Sequence, residues 1–224
     1  MNKIIDNTEG GFLAKEAALL PIRLFPSAAY YALMAHYPIA YFDKEARYNK
    51  AEKGTHRFTI ADTRGELRLT VPVSRPSGCK QWKEVLVSDH GRWWETMPIA
   101  LESAYGRTPF FEFYIDRFKP LFSSESRSIY SLCLDADAIV RDILKIPTAI
   151  KELDEKYKLV DYTKFDFDKA ALNMPRYWQV RGESLGFIPG MSILDLIFNM
   201  GPEATLYIDS TFSTLGVENS KKDF

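Results

Sequence analysis

The chain has 224 residues, 46% hydrophobic and 14% aromatic, which is enough for one sizeable core and too apolar for a disordered or linker-rich protein. Lys plus Arg number 29 against 30 Asp plus Glu, a formal net charge of −1, so no excess of positive charge drives nonspecific binding to nucleic acid or to an anionic membrane. Two cysteines, Cys79 and Cys133, make neither a disulfide framework nor a zinc knuckle. The opening MNKIIDNTEGGF lacks a signal peptide's apolar run and no stretch nears the ~20 apolar residues of a membrane span, so a reduced, cytoplasmic protein is expected.

Residues 18–208 are read as a single domain, with residues 1–17 a lead-in and 209–224 a polar tail. ALLPIRLF, from Ala18, predicts a buried strand ending near Pro26. Ser27 then opens a helix over AAYYALMAHY that Pro38 stops. IAYFD, Ile39 to Asp43, predicts a second short strand, and residues 44–54 a charged loop. Arg57 to Ile60 and Leu67 to Val73 alternate apolar with polar residues around a turn at Asp62 to Gly65, which is a hairpin pattern. After a Pro- and Ser-rich loop, Val85 to Val87 predicts another strand, followed by turn residues Ser88 to Gly91.

The chain then turns helical. Trp93 to Tyr105, Phe110 to Phe122 and Ile129 to Ile146 carry apolar residues at three-to-four spacing, broken at Gly106 and Pro109. Lys151 to Lys169 is charged and predicts loose structure. Ser192 to Asp195 fits a capping box with a shorter acid, opening a last apolar helix that Gly201-Pro202 ends. Strands first and helices after predict an α+β fold: a mixed sheet formed mainly by the N-terminal half, packed with helices from the C-terminal half.

Six segments recur in a recognisable order: LFPSAAYY (24–31), THRFTIA (55–61), LRLTVPV (67–73), SDHGRWW (88–94), SAYGRTPFFEFY (103–114) and GFIPGMSILDLIFNMGP (186–202). Together they resemble the WbqC-like family over about Ala18 to Pro202. The resemblance implies a bacterial biosynthetic setting, in surface-polysaccharide or specialised-metabolite gene clusters. The chain departs from the family pattern at Ala29, where Gln or Glu is common before the paired aromatics. It departs again at His56, in place of the Asn of an Asn-Arg pair, and at Met97, where a His is expected after the tryptophans.

Three groups of residues could carry chemistry. Asp43, Tyr48, Lys50, His56 and Arg57 flank one loop; a guanidinium grips a phosphate or carboxylate through two parallel bonds, while an imidazole titrates near neutral pH. The same residues could equally form a solvated salt-bridge cluster. Asp89-His90-Gly91 could place a general base on an exposed turn, or simply make an Asx turn; the resemblance raises His90. The third group is aromatic and includes Trp93, Trp94 and Tyr105, either the wall of a sugar or nucleotide pocket or plain core. Tyr105 is the best polar candidate among them, because a buried hydroxyl must find a partner.

The catalytic expectation therefore rests on His56, Asp43, His90 and Asp89, with Arg57, Tyr48, Lys50 and Tyr105 binding substrate. His36, His56 and His90 are scattered without metal-ligand spacing, so no metal site is expected. No dinucleotide fingerprint, phosphate loop or serine elbow occurs, and no cofactor is named by the sequence. Cys133 reads as a small core residue and Cys79 as the more exposed thiol. Two functions compete: group transfer onto a small metabolite or amino-sugar, and a noncatalytic binding or assembly protein, with a homo-oligomer among its forms.

Overall fold

A computed structural model of the chain describes residues 16–151 and 157–217. All but Glu16 and Ala17 of the expected lead-in, and the tail from 218 onward, lie outside the described residues. The fold is α+β. Strand β1 (Glu16–Leu20) stops where Pro21 removes the next ladder donor, earlier than the Pro26 expected from hydrophobicity alone. Helix α1 (Ala28–Ala35) follows, with seven of its eight residues buried, so it is apolar all round and central to the fold. Strand β2 (Ile39–Phe42) returns parallel to β1, pairing Ala18 with Ala40 and Leu20 with Phe42.

A hairpin comes next, β3 (Arg57–Asp62) against β4 (Gly65–Thr70), antiparallel and in full register. Its pairs Phe58–Leu69 and Ile60–Leu67 face the core; Arg57–Thr70, Thr59–Arg68 and Ala61–Glu66 share the opposite face. The second strand ends at Thr70 rather than Val73, because Pro72 interrupts it. Val73–Ser74 then forms a short β5 that pairs with β6 (Leu86–Val87).

Helices α2 (Trp93–Tyr105), α3 (Phe111–Phe118) and α4 (Ile129–Ile143) follow, the last capped by Ser128 Oγ accepting from the Ser131 N–H. Lys151 to Lys169, expected to be loose, contains regular structure. After β7 (Ala149–Ile150), β8 (Lys158–Asp161) docks on β1, and α5 (Phe167–Leu172) begins shortly after it. The sequence KLVD has no alternation to announce a strand, and pairing along β1 supplies the order. The main sheet runs β7-β2-β1-β8, all parallel, and buries both faces of its two central strands.

A short turn α6 (Gly182–Leu185), then α7 (Ile193–Met200) and α8 (Glu203–Thr211) complete the chain; α7 is followed by another helix instead of ending the ordered structure. A further helical turn reaches Leu215, which is buried with Val217 beyond it. Phe198 of α7 sits among Tyr105, Phe111 and Phe118, at centroid distances of 5.3, 5.1 and 6.0 Å. Among the described residues no helix is long and apolar enough to cross a membrane.

Candidate functional site

A large cavity encloses about 800 Å3, within the size range of small-molecule sites. Five segments wall it. The loop after β1 contributes Arg23 to Ser27, and the loop before β3 contributes Ala51 to Gly54. The outward face of the hairpin contributes Arg57, Thr59, Glu66 and Arg68. The start of α5 brings Asp168 and Lys169, and the loop before α7 brings Pro189 to Ser192. Two backbone bonds of 2.8 Å close these walls on one another, Ser192 N–H to the Thr59 carbonyl and Ile193 N–H to the Pro26 carbonyl.

This position follows from topology. β1 and β8 are parallel neighbours, and the segments beyond their carboxyl ends both line the cavity. Ligands in open parallel sheets settle outside the carboxyl ends of strands. The N-terminal ends of α1 and α7, each eight residues long, open onto the same space through Ser27 and Ser192. Helix N-termini carry unsatisfied N–H groups and a partial positive charge, so they favour anions.

The charged groups divide into paired and unpaired sets. Arg23 Nη1 meets Asp168 Oδ1 at 3.2 Å, its Nη2 lies 3.7 Å from Glu52, and the guanidinium stands 5.6 Å from the centre of the Phe167 ring. Among the described residues, the side chains of Arg57 and Arg68 have no hydrogen bond or ion pair, and the buried Nε of Arg57 is without an acceptor. Ser27, 7% exposed, caps α1 by position only; its Oγ is buried and makes no bond. Leaving a buried polar atom unpaired costs about 1–3 kcal/mol, a cost that a bound group with the right acceptors removes.

The residues expected from sequence are spread over several places. Arg57 lines the large cavity. His56, its neighbour, does not: its Nδ1 lies 3.0 Å from the Val71 carbonyl oxygen and its ring packs 6.2 Å from Trp82. A carbonyl only accepts, so Nδ1 carries the proton, and burial lowers the imidazole's pKa. Tyr48 packs on the same Trp82 at 4.7 Å, with Arg75 over its ring at 5.1 Å. Asp43, half-buried, accepts from the Glu45 N–H, and Lys50 is exposed.

Asp89 lines a second cavity of about 320 Å3, and His90 is exposed on the turn beside it. Tyr105 is buried and takes the Ala61 N–H on its hydroxyl at 3.1 Å; burial raises its pKa well above the ordinary phenol value. His56 thus lines neither of these two cavities, and Asp89 lines only the smaller one. Among the described residues no group of three or more His, Cys, Asp or Glu could hold a metal ion.

Cys79, 4% exposed against 0% for Cys133, remains the more exposed thiol but is buried like it, with its Sγ 3.4 Å from the Gln81 carbonyl oxygen. Asp195 does not cap α7. Ser192 Oγ accepts the Leu194 N–H instead, while Asp195 Oδ2 accepts from the Tyr177 hydroxyl at 2.6 Å and from Gln179 Nε2 at 2.8 Å. Burial raises the Asp195 pKa, and those two bonds oppose the rise.

Arg23, Arg68, Ser27, Asp168 and Lys169 escaped the reading of the sequence. A signal existed for one of them: hairpin alternation puts Arg68 on the face of Arg57, since Thr59 opposes Arg68 directly.

The family model described as the WbqC-like protein family matches residues 23–165, a span that includes Arg23, Lys53, Arg57 and Arg68. No curated protein and no solved structure matches the chain.

Proposed function

The chain belongs to the WbqC-like protein family, and on that premise we propose that its large cavity binds a small anionic metabolite in a bacterial biosynthetic step of the surface-polysaccharide or specialised-metabolite kind. One observation carries the reading: Arg57 and Arg68 stand on one face of the hairpin, line the cavity and lack partners among the described residues. An unpaired guanidinium offers parallel donors to a phosphate or carboxylate. The N-terminus of α1 adds its partial positive charge to the same space, whereas at α7 the Ile193 and Leu194 N–H groups are already bonded to Pro26 and Ser192.

In the enzymatic form of this reading, the reaction is a group transfer onto a small metabolite or amino-sugar. Arg57 and Arg68 hold the anionic end, and Glu66 or Asp168, two of the carboxylates lining the cavity, move the proton. His56 takes a positioning role. Its ring on the Val71 carbonyl and its N–H on the Lys53 carbonyl hold the start of β3, where Arg57 stands. Tyr48 reaches the same segment from outside the cavity through Trp82, whose ring neighbours both Tyr48 and His56.

One observation favours a binding protein without turnover: neither a histidine nor a cysteine lines the cavity among the described residues. A thermal-shift screen with sugar phosphates, nucleotide-sugars, coenzyme A thioesters and amino acids tests the common core of both forms. The expected result is an anionic hit that disappears in Arg57→Ala; a hit equally strong in Arg57→Ala and Arg68→Ala would remove the cavity from the account. Incubating the hit with candidate acceptors then separates the two forms, since only the transferase consumes it.

A further inference from the structure

The smaller cavity has a different chemistry. Among the described residues no Lys or Arg lines it; its charged residues are Asp89 and Glu125, and neither carboxylate is paired. Ser74, Ser88, Ser123, Ser124 and Ser126 bring five hydroxyls to its wall. Its apolar surface comes from Leu86 and Val87 of β6 and from Trp93 and Trp94, the first two residues of α2, whose rings cross at 85° with centroids 6.4 Å apart.

Trp93 supplies the observation that points to a ligand. The residue is 4% exposed, and its Nε1–H is buried without an acceptor. Indole N–H groups find a partner when buried, so an unbonded one beside a polar cavity marks a missing acceptor. Hydroxyl oxygen fits that need. Indole faces stack on the C–H face of a sugar ring, serine hydroxyls donate and accept, and carboxylates accept from ring hydroxyls. An anion would meet Asp89 and Glu125 in a space that holds no compensating cation.

We propose that this cavity is a second ligand site, taking a single hydroxyl-rich sugar ring that carries no negative charge. It shares no lining residue with the larger cavity, so the two sites take ligands of opposite character. The volume of about 320 Å3 holds one sugar ring.

The test follows the indole N–H resonances of the protein's four tryptophans by heteronuclear NMR during titration with glucose, glucosamine and glucose 6-phosphate. The Trp93 resonance should move with glucose and glucosamine, and not with the phosphate. Asp89→Asn, which keeps the shape of the turn, should weaken the response about tenfold, the loss of one charge-assisted bond. Trp94→Ala should weaken it further, and Arg57→Ala should leave it unchanged. A Trp93 resonance unmoved by all three sugars overturns the proposal. So does a shift of equal size in Asp89→Asn and Trp94→Ala, or one that requires Arg57.

Discussion

Arg23 and Asp168, 145 residues apart in sequence, join at 3.2 Å on the wall of the large cavity. The pair ties the loop after β1 to α5 and withdraws one cation from the set available to a ligand. Gly54 backs Arg23 so closely that a Cβ there would lie 3.1 Å from its Nη1. Because Asp168 is 84% exposed, the pair contributes at most about 1 kcal/mol to stability. Asp168→Asn should leave the unfolding midpoint nearly unchanged and tighten pyrophosphate binding several-fold, as Arg23 joins Arg57 and Arg68. Calorimetric titration checks this; weaker binding in the variant would mean that Asp168 itself serves the ligand.

His56 should be neutral at pH 7 and protonated on Nδ1, with Nε2 bare. Burial lowers its pKa below the ordinary 6.5, and the neighbouring Arg57 and Lys53 charges push the same way. The folded state then resists taking a proton that the unfolded chain accepts, so His56 costs stability as pH falls below 6.5. Nitrogen-15 shifts of the ring should show the Nδ1–H form. His56→Gln should reduce the loss of stability on acidification, and an unaltered pH profile would argue against the buried neutral ring.

Much of the scaffold could be read from sequence because its signals are local. The hairpin follows from alternation about Asp62 to Gly65, and α2 from apolar spacing between Trp93 and Tyr105. α1 has no polar face, yet composition and Pro38 marked it. β8 could not be read, since four residues with no alternation become a strand only by pairing with β1. The cavity was hidden for the same reason. Arg23, Arg57, Asp168 and Ser192 come from four separate segments, and no local pattern tells which face of a hairpin covers a space. His56 was chosen for its residue type, but whether its ring meets a ligand or the Val71 carbonyl is decided by tertiary packing.

Asp137 on α4 makes stability depend on pH in a definite direction. It is buried against Arg141, with Nε to Oδ2 at 2.6 Å, and burial pushes its carboxyl up to about 6 from 3.8. The folded state thus binds the proton more tightly than the unfolded chain. The stability this contributes is fully present below about pH 4 and is lost as pH rises to about 6. At about 1.4 kcal/mol per pH unit, the ceiling is about 3 kcal/mol. Urea unfolding of the wild type and Asp137→Asn between pH 4 and 7 should give curves that diverge across this window. Parallel curves would contradict the assignment.

Gly201 ends α7 with φ 53° and ψ −125°, and a Cβ there would lie 2.5 Å from the Phe110 ring. Phe110 in turn donates its N–H to the Phe198 carbonyl at 3.2 Å, so it cannot retreat freely. Gly201→Ala should therefore cost about 3 kcal/mol, from backbone strain and overpacking together. The measurement is the urea midpoint at unchanged slope. A loss below about 1 kcal/mol would show that the Phe110 segment yields.

The central claim, that the unpaired arginines of the hairpin make an anion site, is tested most directly by calorimetric titration of pyrophosphate into the wild type, Arg57→Gln, Arg68→Gln and the double variant. Each single change should weaken binding by about tenfold or more and lessen its salt dependence, and the double variant should not bind. Equal affinity in the wild type and the double variant, with both folded, would contradict it.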